Sequence, residues 1–348
     1  MGQFISLECL LKSSSDASSM EISVYIVVLR SVELVFDFLA PVFNLYFLFI
    51  LRRKVFHTHL RVILGVFAIS LSVMTLTRAL DAINELFRLN IPRSIIGVTS
   101  FVHNDCMTLV MDISLLLTLE RLLATVMATK YEKMQSIISS VVACVLLWLL
   151  NTHNTYLMLI WLNSSNVKSD CTIEFGGQSY STNIIINLSA LMTLNVASVT
   201  LFIRLRSYNM KRYLHDYKHK LTRRFQISEN IRTSRQILYI LIINLVVNFY
   251  FFFVLYYVAV RKTANQTVIY LAQFFDLFAA IASVLYPSIL ILSHPRLRLQ
   301  LRQHFQKLYG ASNAAGPSIH SINNQPMVFQ TSTQGSVYFQ ELQKSWNA

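Results

Sequence analysis

The stretch IIGVTSFVHNDCMTLVMDISLLLTLERLLAT, residues 95–125, is the one from which the architecture can be read. A bilayer crossing needs about 20 largely apolar residues, and this run exceeds that. It also carries polar groups at several depths: His103, Asn104, Asp105, Asp112 and the closing pair Glu120-Arg121. A helix turns about 100° per residue and rises about 1.5 Å. His103 and Arg121 are 18 residues apart, five whole turns, so they share a face. They stand about 27 Å apart along the axis. Met107, Val110, Ser114 and Leu117 fall on or near that face, and Asp112 falls opposite. One helix thus joins a polar group near one membrane surface to a charged pair at the other. The rest of the chain is expected to bundle around it.

Composition agrees. The 348 residues are 54% hydrophobic and only 14% charged, against about 25% charged in soluble domains. Six further apolar segments are long enough to span: 24–51, 60–87, 137–162, 183–205, 236–260 and 267–292. They are continuous, so an alternating membrane barrel is excluded. The expected fold is an all-α bundle of seven transmembrane helices over residues 23–293.

Orientation follows from the basic residues in the connections. Twenty-two Lys and Arg fall on the side that holds Arg52, Arg121, the 204–235 loop and the C-terminal segment, against six on the other. The rich side is cytoplasmic, which puts the N-terminal segment 1–22 outside. That segment is polar and lacks a cleavable hydrophobic signal, so the first span is expected to act as the uncleaved signal. The net charge of +13 is read as basic loops against anionic lipid, not as a nucleic-acid surface. Seven helices with an outer N-terminus is the arrangement of G-protein-coupled receptors. Insect-type odorant channels have the inverted order.

After the last span, Pro295 precedes a segment with Leu297, Leu301, Phe305 and Leu308 at helical spacing and bases opposite. Residues 294–310 are therefore expected to form an amphipathic helix on the inner leaflet. Residues 311–348, rich in Ser, Asn, Gln and Gly, are expected to be disordered. The stretch from 215 to 231 has no Pro or Gly and is expected to extend the neighbouring helices.

Several motifs resemble the nematode chemosensory serpentine receptors of the Sra superfamily. They are Glu120-Arg121-Leu-Leu-Ala124-Thr125, the following Tyr131-Glu132, and Arg224-Phe225-Gln226-Ile-Ser-Glu229-Asn230-Ile231-Arg232-Thr233. The spacing is most similar to class epsilon (Sre), with Srb and Srab next. The resemblance covers about residues 25–310. It implies a plasma-membrane receptor of chemosensory neurons that detects an environmental small molecule and signals to a heterotrimeric G protein.

The chain departs from rhodopsin-like receptors at three places. Glu120-Arg121-Leu122 stands for Asp-Arg-Tyr, Tyr286-Pro287-Ser-Ile-Leu290 for Asn-Pro-x-x-Tyr, and Ile96 for the cysteine at the outer end of helix three. Cys171 lies before helix five, where such receptors usually bridge to helix three. Three arrangements stay open: Cys106–Cys171, Cys9–Cys171, and no bridge. Cys144 is expected to be a buried thiol.

Given the resemblance, Glu120-Arg121 is expected to lock the resting bundle and release Arg121 toward the G protein; otherwise Arg121 is a snorkelling interfacial base. Arg224, Gln226, Glu229 and Asn230 are candidate G-protein contacts on an inward extension of helix six, though the positive-inside bias alone accounts for their neighbourhood. Candidate ligand contacts are His103, Met107, Asp276 and Asn248. His103 and Asn248 have the alternative of interhelical hydrogen bonds. Asp105 and Asp112 point away and are expected to meet neighbouring helices. Asp276 has no partner on its own helix. Arg30, Glu33 and Asp37, and likewise Arg78 and Asp81, are spaced for local pairing that lowers the cost of insertion. Tyr250 to Phe253 form an aromatic run beside Asn244 and Asn248.

Asn163 and Asn265 head glycosylation tripeptides on expected outer loops. No nucleophile–base set, phosphate loop or metal spacing appears, so neither catalysis nor a cofactor is expected. The alternatives to a chemosensory receptor are an odorant-gated channel and a non-signalling pseudoreceptor; no pore ring or filter is visible.

Overall fold

The computed structural model describes residues 17–53, 55–87, 89, 91–127, 137–163, 177–215, 221–261 and 266–308. Eight helices occupy these residues: α1 Ala17–Leu51, α2 Thr58–Phe87, α3 Arg93–Val126, α4 Ile138–Asn163, α5 Gly177–His215, α6 Leu221–Arg261, α7 Gln266–Ser293 and α8 Pro295–Leu308. Among the described residues there is no strand. The seven expected spans are the seven long helices. Residues 294–310 hold α8, whose backbone is helical as its leucine spacing requires; it forms a unit separate from Met1–His294. The tail 311–348 and Cys171 lie outside the described residues. The basic extension is helical from 221 onward, and α5 runs inward to His215.

Six of the helices are long and apolar enough to cross a membrane by composition alone. The exception is α3, and its polar residues are the reason. It packs on four other helices, α2, α4, α5 and α6. Lipid cannot satisfy a polar group, so a helix rich in them must sit among others. Around it α1 packs on α2 and α7, α5 on α6, and α6 on α7. The lipid-facing sides of the outer helices carry exposed Val, Leu, Ile and Phe, such as Val35, Val42, Phe49, Leu146 and Leu149.

Several polar residues of α3 find specific neighbours. Asp105 accepts from Trp148 Nε1 at 2.8 Å and from Thr152 Oγ1 at 3.1 Å, both on α4. Asp112 lies beside Asn151 of the same helix. The expectation that these two acids meet neighbouring helices therefore holds. Ser114 donates to Asn195 of α5 at 2.6 Å, and Asn209 of α5 donates to Thr125 at 2.9 Å. Asp105→Ala would leave the indole N–H of Trp148 without its acceptor. Its expected cost is about 1–3 kcal/mol, read as a lower melting temperature in detergent; unchanged melting would show that the α3–α4 contact rests on packing alone.

Of the two helical prolines, Pro287 is compensated across helices. Pro287 has no N–H for the carbonyl four residues back, which is that of Ser283. Asn44 of α1 donates to that same Ser283 carbonyl at 3.2 Å, and to Ala40 O at 2.8 Å. Pro41 lies three residues before Asn44, inside α1. A side chain of α1 thus satisfies the backbone group that the proline of α7 frees, and ties the two helices together.

Candidate functional site

At the end of the bundle away from Arg121, the acids and bases of α1, α2 and α7 meet. Arg78 of α2 is buried, and its Nε donates to Glu33 Oε1 of α1 at 2.6 Å. Its Nη2 lies 2.7 Å from Asp276 Oδ2 of α7. Arg30 pairs with Glu85 of α2 and donates from Nε to Gln273 Oε1 of α7 at 3.0 Å. Gln273 in turn donates to Glu33. Asp81 accepts from Thr99 of α3 at 3.0 Å.

This corrects the expectation of local pairs within α1 and within α2. The bases bond across helices instead. A guanidinium carries five donors in a fixed fork, and one carboxylate a turn away cannot satisfy them in a site without water. Acceptors on two facing helices can. The absence of a local partner for Asp276 was the signal in the sequence that pointed this way; its partner is Arg78.

Two adjoining cavities open beside this network. The first is lined by Asp37, Thr75, Arg78, His103, Asp276 and Ala280, among others. The second is lined by Val110, Met111, Asn244, Asn248, Phe251 and Tyr286, among others. Met74, Met107, Phe275 and Ala279 line both. All four candidate ligand contacts therefore reach this pair of cavities: His103 and Asp276 the first, Asn248 the second, and Met107 both. Asp37, Arg78, Met74 and Phe275 were not among the candidates. Their part depends on helix rotation and on which helices are neighbours, which residue spacing along one helix does not specify.

The alternative roles of His103 and Asn248 are also realised. His103 Nδ1 lies 3.0 Å from Met74 O of α2. Asn244 and Asn248 both donate to Met111 O of α3, at 3.1 and 3.4 Å, and Tyr286 donates to Asn244 Oδ1 at 3.2 Å. These contacts join α6 to α3 and to α7. Of the aromatic run on α6, Phe251 is the member that lines this pair of cavities; it meets the Phe275 ring at 4.8 Å. Phe253 faces outward, half exposed, and Tyr250 donates to Leu271 O. Four consecutive residues span more than a helical turn, so they cannot all face one space.

At the other end, Arg121 is 4% exposed and Glu120 5%. Arg121 donates from Nε and Nη2, one edge of its guanidinium, to the two carboxylate oxygens of Glu120. Arg121 Nη1 reaches Asn230 Oδ1 of α6 at 3.4 Å, and Asn230 Nδ2 reaches Ala124 O of α3 at the same distance. Arg212 of α5 donates to Thr125 O at 3.3 Å. In the connection before α2, His57 stacks on His59 with ring centroids 5.2 Å apart. Burial, with the neighbouring His59 next, holds the His57 imidazole below its usual range. A buried Arg121 is not a snorkelling base, whose head would be in water. Arg224, Gln226 and Glu229 lie on the first turns of α6, outside the described side chains.

Cys106 and Cys144 are free thiols, and Asn163 is the last residue of α4. Asn265 lies outside the described residues. Among the described residues no cluster of His, Cys, Asp and Glu could hold a metal ion.

The family of Sre G protein-coupled chemoreceptors matches residues 9–347. The chain belongs to that family. It is a multi-pass membrane chemoreceptor and not an enzyme. No curated protein matches it. The match extends through both the network end and the Glu120-Arg121 end of this Sre receptor, and so covers every site residue described above.

Proposed function

We propose that this Sre receptor binds an environmental small molecule in the paired cavities between α2, α3, α6 and α7, and signals to a heterotrimeric G protein through the Glu120-Arg121 end. Plasma membrane of chemosensory neurons is the proposed location. The observation that carries the reading is a geometric one. The helix that walls the cavities with Met107 also bears the buried pair that clasps α6 through Asn230.

A ligand shifts a conformational equilibrium only if it binds one state better than the other. The cavities lie where α3, α6 and α7 meet, so filling them changes the packing of α6 against α3. Asn244 and Asn248 are the hinge contacts there, since both hold Met111 O. Movement of α6 at that level moves Asn230, which lies on the same helix. Arg121 then loses its α6 partner and turns toward the inner surface. Arg224, Gln226, Glu229 and Asn230 on the inner turns of α6 are the proposed G-protein contacts.

Calcium imaging in cells expressing the full chain, against an odorant panel, tests this. Arg121→Ala should lower any ligand-evoked response by about tenfold or more, with surface labelling equal to wild type. A response that survives both Arg121→Ala and G-protein inhibition would support the odorant-gated channel instead.

A further inference from the structure

The paired cavities also indicate the chemistry of their ligand, and this inference rests on the binding site proposed above. Apart from Asp276 Oδ2, which is in ion-pair contact with Arg78, two buried polar atoms on their walls have no hydrogen-bond partner among the described residues: Asp37 Oδ2 and Asn248 Oδ1. Each residue is only 1% exposed. Both atoms are acceptors. A third acceptor follows from His103. Its Nδ1 faces a carbonyl, which can only accept, so Nδ1 carries the proton. In the neutral ring Nε2 is then a lone pair. The hydroxyls on the walls are already committed: Thr75 donates to Leu71 O, Ser283 to Ala279 O, and Tyr286 to Asn244. The cavities therefore ask for donors and offer few of their own.

Charge narrows the choice further. With Asp37 counted, the network holds two guanidiniums, Arg30 and Arg78, against four carboxylates, Glu33, Asp37, Glu85 and Asp276. Arg78 is engaged by Glu33 and Asp276, which leaves Asp37 outside any ion pair among the described residues. An unpaired buried carboxylate is costly, so without a ligand the group keeps its proton; a positively charged donor beside it lets it ionise and form an ion pair. Next to this polar chamber is a mostly apolar one, walled by Met74, Met107, Met111, Phe251 and Phe275, with Asn248 as the polar group left without a donor on its wall.

We propose that the ligand is a small aliphatic amine, its ammonium group received by Asp37 and His103 and its hydrocarbon end by the methionine and phenylalanine chamber. An ammonium carries three donors, which matches Asp37 Oδ2, His103 Nε2 and one further oxygen of the Asp276 carboxylate. The chambers admit the centre of a water molecule over only about 10 Å3 and about 20 Å3. That is room for about one water in the first and one or two in the second, so the ligand is small and joins the two. The shared wall contains Met74 and Met107, whose unbranched side chains re-pack readily. A carboxylate ligand is excluded by the same reasoning, because it would bring acceptors and negative charge to a site already rich in both.

Binding is measured directly on the full-length receptor in detergent, by the ligand-induced rise in melting temperature, with butylamine, butanol and butyrate. The expected order is butylamine at least about tenfold tighter than butanol, with butyrate silent, a tenfold step being about 1.4 kcal/mol. Asp37→Asn, which keeps the shape and removes the charge, should weaken butylamine by a similar factor and leave butanol unchanged. Ala280→Leu keeps Asp37 and fills the polar chamber; it should abolish butylamine binding, and it decides the matter if Asp37→Asn does not fold. Butanol or butyrate equal to butylamine, butylamine binding that is indifferent to either change, or no butylamine binding at all would overturn the proposal. The readout uses no G protein. Amine binding without signalling would refute the signalling reading and leave the ligand class standing. Signalling evoked by a carboxylate and blocked by Ala280→Leu would do the reverse.

Discussion

Replacing Arg78 with alanine is expected to cost about 3–5 kcal/mol of stability. That is a large part of the 5–15 kcal/mol typical of a folded domain. The change would strand two carboxylates, Glu33 at 0% exposure and Asp276 at 5%, with no guanidinium between them. Their mutual repulsion would add to the desolvation of each. The measurement is thermal unfolding in detergent together with surface labelling, and both should fall sharply. Arg78→Lys should recover only part, since a single ammonium cannot reach two helices in the fork geometry that Arg78 uses. The triple change Arg78→Met, Glu33→Gln, Asp276→Asn should recover more than Arg78→Met alone, because it removes the stranded charges with the base. If Arg78→Ala melts as the wild type does, the network does not hold α1, α2 and α7 together.

Removing the acid of the inner pair is expected to act on signalling before it acts on stability. In Glu120→Ala, Arg121 keeps Asn230 as a partner on α6 but loses the carboxylate that takes its Nε and Nη2. A coupling of about 1–3 kcal/mol corresponds to a shift of about 5–150-fold in a two-state equilibrium. Basal activity of a G-protein reporter, normalised to surface receptor, should rise by a factor within that range. Asn230→Ala should raise it less, as the 3.4 Å contact it removes is long and weak. Basal activity unchanged in both variants would mean that Glu120 and Asn230 do not hold the resting state.

Much of this receptor was legible in the sequence because a membrane simplifies the problem. In lipid each backbone polar group must be satisfied within its own segment, so a run of apolar residues is a helix and its length is a thickness. The seven spans agree with the long helices to within a few residues at most ends. The exceptions are the start of α1, both ends of α5 and the start of α6, where the helix continues through polar residues and apolar length no longer marks its end. The central place of α3 was legible for a related reason: a spanning helix that carries His103, Asp105, Asp112, Glu120 and Arg121 must be surrounded. Helical period then placed His103 and Met107 on a cavity face and Asp105 on the other, toward α4.

What residue spacing alone did not determine is who pairs with whom. Arg30 and Glu33 are a turn apart, and in water that would suffice for a pair. Inside the bundle the low dielectric makes every unsatisfied donor costly, so the partners are those on facing helices that satisfy the most donors. Glu85, Gln273, Asp276 and Arg78 enter one network only because α1, α2 and α7 are brought together. The role of Asn44 is of the same kind, since it meets the carbonyl freed by Pro287 across 239 positions of chain. The orphan acceptors Asp37 and Asn248, from which the ligand chemistry is argued, are likewise a product of packing. The sequence by itself determined the helices, their order and their buried faces through hydropathy and period. Only the tertiary structure decided the pairings and the shape of the cavities, because both depend on the rotation and approach of helices distant in the chain.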